Sequence, residues 1–273
     1  MDKVVLELQD LRYLNWSKVR NSSGAAGSFL KSYDIFDGTK RYYKLSNYDY
    51  INGINGHECV NEIIVDRLLN VLGIEHLSYK LVNSRININD NEYITYLCSS
   101  LDFKRKGEQK KALDTFYELN KLEKETPLEF CERFGFEEYI YNMIVVDFII
   151  LNRDRHGANI EVLIDLKNDT YCLAPLFDHG ISLLSRCNSN EEIINYDVLD
   201  DKKVQCFVGS NSTKDNLNLI PKEKLPNLNK LRIEDKEYIF KDLDLVIDQI
   251  LKDKIWEMIY KRWCYYEDFC NKK

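Results

Sequence analysis

Apolar and polar positions follow two different rhythms along this chain, and the change of rhythm divides it. Up to about residue 100 the period is mostly that of strands. Val4-Val5-Leu6-Glu7-Leu8 predicts one strand. Phe29 to Ile35 and Arg41 to Leu45 predict two more, joined by a turn at Asp37-Gly38. Leu77 to Val82 and Tyr93 to Cys98 predict another pair, with a turn at Asn89-Asp90-Asn91. One helix interrupts them: Val60, Ile63, Ile64, Arg67, Leu68, Val71 and Leu72 recur at helical spacing, and Gly73 supplies a stop.

Beyond Phe103 a basic, polar stretch, Lys104 to Lys111, leads into a part that reads as largely helical. Phe136, Tyr139, Ile140, Met143, Ile144, Asp147, Phe148 and Leu151 predict a helix. Val145, Val146, Ile149 and Ile150 fill its other face, so its second half should be buried all round. Asp147 then lies on an apolar face and needs donors, from backbone amides or from Arg155 in the loop that follows. Ile160 to Ile164 and Tyr171 to Leu176 predict a hairpin about Lys167-Asn168-Asp169. Residues 181–235 are polar and irregular, placed where a substrate-binding or activation segment would be. Leu243, Val246, Ile247, Ile250, Leu251, Ile255, Met258, Ile259 and Trp263 form a last helical packing stripe. The pattern predicts an α+β fold in one bilobal domain: a β-rich lobe over residues 1–100 and a mainly helical lobe over 101–273.

Composition supports a globular protein with ample core: 273 residues, 44% hydrophobic, and only 4 prolines, which leaves no long linker. The net charge of −7 argues against general nucleic-acid binding, so an anionic ligand would need a local cation or a metal ion. None of the 8 cysteines forms a Cys-x-x-Cys pair, which excludes the usual cysteine zinc site and fits reduced thiols. Met1 to Glu7 carries no signal-peptide core, and no apolar run reaches membrane-spanning length. A cytoplasmic protein without membrane insertion is expected.

The chemistry concentrates in Asn152-Arg153-Asp154-Arg155-His156-Gly157-Ala158-Asn159 and, one hairpin later, Asp178-His179-Gly180. A hairpin brings its ends together, so Asn159 and Asp178 should be neighbours. An amide oxygen and a carboxylate so placed suit Mg²⁺, which takes one or two protein ligands plus phosphates and water. Asp154 is then placed to accept the proton of a substrate hydroxyl. Small residues from Ser22 to Ser28 let backbone amides approach phosphates, and Lys44, one hairpin on, can meet the same phosphates. Glu58 or Glu62 could hold its ammonium, with Glu62 preferred because it sits beside the buried pair Ile63-Ile64. A phosphate-covering loop, a lysine with a glutamate, a base and two metal ligands, in that order, are what phosphoryl transfer requires.

At these residues the sequence resembles the HipA-like kinases, and it is similar to the catalytic segment of the phosphatidylinositol kinases. The resemblance rests on residues 147–159 and Phe177-Asp178-His179-Gly180, helped by Asn61-Glu62 and Leu72-Gly73-Ile74. It implies a protein-kinase-like fold using ATP and Mg²⁺, with Asp154 as base, His156 as loop brace, and Asn159 and Asp178 on the metal. It implies that Lys44, partnered by Glu62, binds the α/β-phosphates. Ser22, Ser23, Gly24, Ala25, Ala26, Gly27 and Ser28 would form the phosphate loop. The boundary near Leu97–Phe103 would be a hinge that meets adenine, its amides supplied by Leu97, Cys98 and Ser100. The activity implied is serine/threonine phosphorylation of another protein or of the chain itself, on a loop serine. His179 stands where many protein kinases have Phe, so their flip of this segment is not expected. The chain is shorter than full HipA toxins, so their extra N-terminal subdomain, toxin behaviour and DNA-bound antitoxin partnership are not expected either. Three other readings stay open: a silent nucleotide-binding pseudokinase or interaction module, a lipid or small-molecule kinase, and a metal-dependent hydrolase built on Asp154, His156, Asp178 and His179.

Overall fold

The computed structural model describes residues 3–19, 26–187 and 189–273, with only the backbone described for 18, 19 and 26–28. Ser22, Ser23, Gly24 and Ala25 therefore lie outside the described residues. Ala26, Gly27 and Ser28 open a strand.

A twisted six-stranded sheet occupies the first part of the chain, built from β1 (Val4–Asp10), β2 (Ser17–Val19), β3 (Ala26–Phe36), β4 (Thr39–Lys44), β7 (Tyr79–Ile88) and β8 (Asn91–Leu101). Its order is β1-β7-β8-β4-β3-β2, antiparallel except for the β1–β7 pair. The predicted turns take the left-handed backbone that two-residue hairpins need: Asp37 and Gly38 have φ of 49° and 71°, and Asn89 and Asp90 have 49° and 65°. A small ribbon of β5 (Tyr48–Asp49) and β6 (Gly53–Ile54) leads into helix α1 (Glu58–Leu72).

The sheet is covered on both faces, and strand alternation assigns each side chain to one of them. Tyr43, Leu45, Ile86 and Leu97 pack into a small cluster with Leu11 and Leu14. Leu81 and Cys98 face the other way, against α1. Lys44, between Tyr43 and Leu45, is thereby turned to the α1 side. On α1, Ile63, Ile64, Leu68 and Leu69 are fully buried, each stabilising the fold by roughly 1.5–3 kcal/mol. Gly73, at φ 76°, lets its own amide and that of Ile74 turn back to the carbonyls of Asn70 and Leu69.

Four helices form most of the second part: α2 (Leu113–Asn120), α3 (Pro127–Arg133), α4 (Glu137–Ile149) and the long α8 (Gln249–Lys272). Between them run β10 (Asp154–Arg155), the hairpin β11 (Glu161–Asp165) and β12 (Thr170–Leu173), α5 (Asn190–Ile194), β13 (Gln205–Cys206), α6 (Thr213–Leu217) and α7 (Asp235–Ile239). The second half of α4, Met143 to Ile149, is buried throughout as its pattern predicts. Two expectations are corrected. The polar run after Lys104 contains a strand, β9 (Glu108–Ala112), which pairs with β11 from Glu161↔Ala112 to Asp165↔Glu108. The last stripe is helical only from Gln249. Asp248 caps α8 by accepting from the Leu251 amide at 2.8 Å, so Leu243, Val246 and Ile247 pack from the turn before it.

Buried arginines tie these parts together through backbone carbonyls. Arg262 of α8 donates to the carbonyls of Val198, Phe148 and Asp200. Arg67 of α1 donates to those of Ile239 and Lys241. Among the described residues, no helix is long and apolar enough to cross a membrane.

Candidate active site

The Lys44 ammonium lies between two carboxylates, donating to Glu62 Oε1 at 2.9 Å and Asp178 Oδ1 at 2.7 Å. Burial alone would pull its pKa down, but Asp178 and Glu62 outweigh burial and hold it well above the usual lysine value. Of the two candidate glutamates, geometry selects Glu62. Glu58 instead accepts from the Asn47 amide at 3.2 Å. The second Glu62 oxygen accepts the backbone N–H of His179 at 2.9 Å. Asn61, one residue earlier, donates to the carbonyls of Gly180 and Ser182. Helix α1 is thus bound directly to the Asp178-His179-Gly180 segment. Asp178 has φ 62°, left-handed for a non-glycine residue, and its amide donates to the Tyr79 hydroxyl at 3.3 Å. His179 is buried, and desolvation together with the Arg155 and His76 charges keeps its imidazole neutral, with a pKa well below the usual histidine range.

The opposite wall is the loop after α4. Asp147, 7% exposed, accepts both Nε and Nη2 of Arg155 at 2.9 Å, and the Asn152 side chain at 2.9 Å. This supplies the donors its position on an apolar face required. The remaining Arg155 nitrogen donates to the carbonyls of Phe177 and Asn159, at 2.9 and 3.2 Å. One guanidinium therefore gathers the end of α4, the 152–159 loop and the residue before Asp178. Gly157 allows the close approach of α2: a Cβ there would lie 2.5 Å from that of Asp114 and 2.9 Å from its amide nitrogen.

Asp154 stands at the open side of this loop, its side chain about one quarter exposed, with His156 Nε2 at 3.6 Å from Oδ1. The Asp154 amide donates to Asn152 Oδ1 at 3.3 Å. Its carbonyl accepts the Asn159 side-chain amide at 2.6 Å. That bond turns the Asn159 amide nitrogen to the loop's own backbone. Short strand β10 lies parallel to β13, with Asp154 opposite Gln205, so residues 203–207 run alongside the base.

Lys44 from β4, Glu62 from α1 and Asp178 after the β12 strand meet directly, Asp154 and Asn159 are joined to each other within the loop, and Arg155 ties that loop to Phe177. Lys44, Glu62, Cys98, Asp178 and Gly180 line one pocket, with Phe29 of β3 at its edge. Leu97, Cys98 and Ser100 do not form a hinge. All three lie inside β8, where Cys98 pairs with Lys44 and Leu81, and Ser100 with Tyr42 and Tyr79, so their backbone groups are taken up by ladders. Cys98 contributes its side chain to the pocket. The exit from the sheet comes later, from Asp102. There Lys110 of β9 sits 4.1 Å above the Phe103 ring and donates to Asp102 at 2.7 Å, while Phe103 packs on Phe177 with ring centroids 5.8 Å apart. Phe177 had entered only as the residue before Asp178 and Phe103 only as the end of the boundary, and Lys110 was not singled out from the sequence.

The donor set fits a divalent cation shared with phosphates. Lys44, Glu62 and Asp178 together carry one excess negative charge, and with an Asn159 amide from the loop that Arg155 ties to Phe177 the donor types are the hard oxygens Mg²⁺ favours. Among the described residues, no group of three or more His, Cys, Asp or Glu side chains could hold a metal ion without such help. The hydrolase reading needed four: His156 lies on the Asp154 side and His179 on the Glu62 side.

No known family pattern and no curated protein sequence matches this chain. Solved structures do match it. The Helicobacter pylori proinflammatory kinase CtkA superposes with a TM-score of 0.61 at 16% identity, over 94% of each chain. A chain of the Shewanella oneidensis toxin–antitoxin complex of HipA, HipB and operator DNA matches with a TM-score of 0.50 at 12% identity, over 92% of this chain and 66% of that one. The architecture and the neighbours agree that the chain has the fold of the HipA-like kinases.

Proposed function

We propose that the protein is an ATP- and Mg²⁺-dependent kinase that phosphorylates serine or threonine hydroxyls, on another protein or on itself. The observation that carries this reading is the Lys44 ammonium between Glu62 and Asp178. Glu62 fixes the lysine, and the lysine binds the α/β-phosphates of the nucleotide. Asn159 and Asp178 would hold Mg²⁺, which when bound would supply positive charge to the phosphoryl oxygens. Asp154 takes the acceptor's hydroxyl proton as its oxygen bonds to the γ-phosphorus and ADP leaves with the bridging oxygen. His156 keeps the Asp154 carboxylate in place. Adenine is read at the sheet exit, Asp102 to Lys104, in place of Leu97 to Ser100.

Incubation with labelled ATP and Mg²⁺ tests the reading. The wild-type chain should label itself or an added protein, and Asp154→Ala should lower the rate by about 10²–10⁴-fold while nucleotide binding persists. Equal labelling by wild type and Asp154→Ala would refute the assignment. ATP binding without transfer to any acceptor would favour a pseudokinase instead.

A further inference from the structure

Away from the catalytic residues, the C-terminal end of α1 and the N-terminal end of α4 frame a second cleft, of about 480 Å³. That is the size of a small-molecule site. Gly73 and Ile74 after α1, the first turns of α4 and residues 224–228 line it. The lining is tied together, since the Asn229 amide donates to the Leu72 carbonyl at 3.1 Å. Tyr141 of α4 is 1% exposed, and its hydroxyl donates to Glu132 at 2.5 Å.

The charge of the lining is weighted to the negative side: Glu137 and Glu138 of α4 against Lys224. Glu137 Oε1 lies 3.7 Å from Lys224 Nζ, while Oε2 is buried and has no hydrogen-bond partner. The Glu137 side chain as a whole is about one third exposed, so a ligand can reach it. The dipole of a helix favours a carboxylate in its first turn, but that supplies no donor, and α4 has no side-chain cap bond. A buried carboxylate oxygen costs free energy until a donor meets it. Burial, the Glu132 bond and the charges of Glu132, Glu137 and Glu223 all push the Tyr141 pKa up, as expected in a negative potential. Ile74, Leu225 and Pro226 supply apolar surface beside these groups.

We propose that this cleft binds a small organic cation, an amine or guanidinium on a short aliphatic chain. The cationic head donates to Glu137 Oε2, Glu138 adds to the attraction, and the aliphatic chain lies on Ile74, Leu225 and Pro226. A guanidinium presents a planar fork that matches a carboxylate, so it is favoured over a lone ammonium. The occupant would touch the end of α1, which carries Glu62, and the start of α4, which leads to the Asp154 loop. The proposal stands apart from the kinase reading, because none of the catalytic residues lines this cleft.

The test titrates the full chain with agmatine, a guanidinium joined to an amine by a short aliphatic chain, and reads binding by calorimetry. Glu137→Gln keeps the shape of the side chain and removes its charge. Asp178→Asn controls for the other excess of negative charge, around Lys44. The wild type should bind agmatine, more weakly as salt is raised, and Asp178→Asn should match it. Glu137→Gln should bind about tenfold more weakly, the scale of one hydrogen bond to a charged group. Glu138→Gln, at an exposed position where folding is not at stake, should weaken binding by about threefold. No binding by the wild type overturns the proposal. Equal binding by the wild type and both glutamate variants overturns it too, as does a loss confined to Asp178→Asn, which would seat the cation in the catalytic cleft. An arginine peptide that binds where agmatine does not also overturns it, and makes the cleft a docking site for a basic protein segment instead.

Discussion

The two walls of the cleft both bury charge, but they neutralise it differently. On the loop wall, Arg155 and Asp147 form a closed account of one cation and one anion, bidentate and 1% and 7% exposed, with the spare guanidinium nitrogen taken by two carbonyls. On the sheet wall, one lysine serves two carboxylates, Glu62 and Asp178. The first arrangement has no use for a ligand and holds the 152–159 loop to the end of α4. The second keeps one negative charge in excess, the sign that attracts a cation. A buried arginine thus marks the scaffold here, and an over-subscribed lysine marks the site.

The contrast can be broken at either wall. Arg155→Met should have the largest effect on stability, because it leaves the Asp147 carboxylate buried without its cation. A loss of about 3–5 kcal/mol is expected, read as a lower denaturation midpoint with unchanged slope. A near-neutral result would mean that Arg155 does not brace the loop. Glu62→Gln should act more weakly and on activity. It removes one of the two carboxylates on Lys44 but keeps a side chain able to accept from the His179 amide. The fold should persist, and kcat/KM should drop roughly tenfold, the scale of one hydrogen bond to a charged group. A stability loss matching that of Arg155→Met would erase the distinction between the walls.

Much of this was legible from the sequence, for identifiable reasons. Helix α1 was readable because its apolar spacing is regular and Gly73 ends it in the left-handed region. The turns at Asp37-Gly38 and Asn89-Asp90 carry residues suited to positive φ. Asp147 was readable as a structural acid because an apolar helix face demands donors for it. What escaped depended on partners distant in sequence. Strand β9 reads Glu-Gln-Lys-Lys-Ala, with no apolar alternation, and becomes a strand because β11 pairs with it. Of the Leu97–Phe103 boundary, the amides assigned to adenine were taken too early, because β8 runs on to Leu101 between two neighbours, and ladder length is set by β4 and β7 more than by the residues of β8 itself. The start of α8 was set too early as well, since Leu243, Val246 and Ile247 continue the apolar stripe without continuing the helix.

The most direct test is a crystal structure with a non-hydrolysable ATP analogue and Mg²⁺. The account predicts a nucleotide between the two walls, its phosphates on Lys44 and its metal bound by Asn159 Oδ1 and the Asp178 carboxylate. A nucleotide seated elsewhere, or a metal held by neither residue, would contradict it.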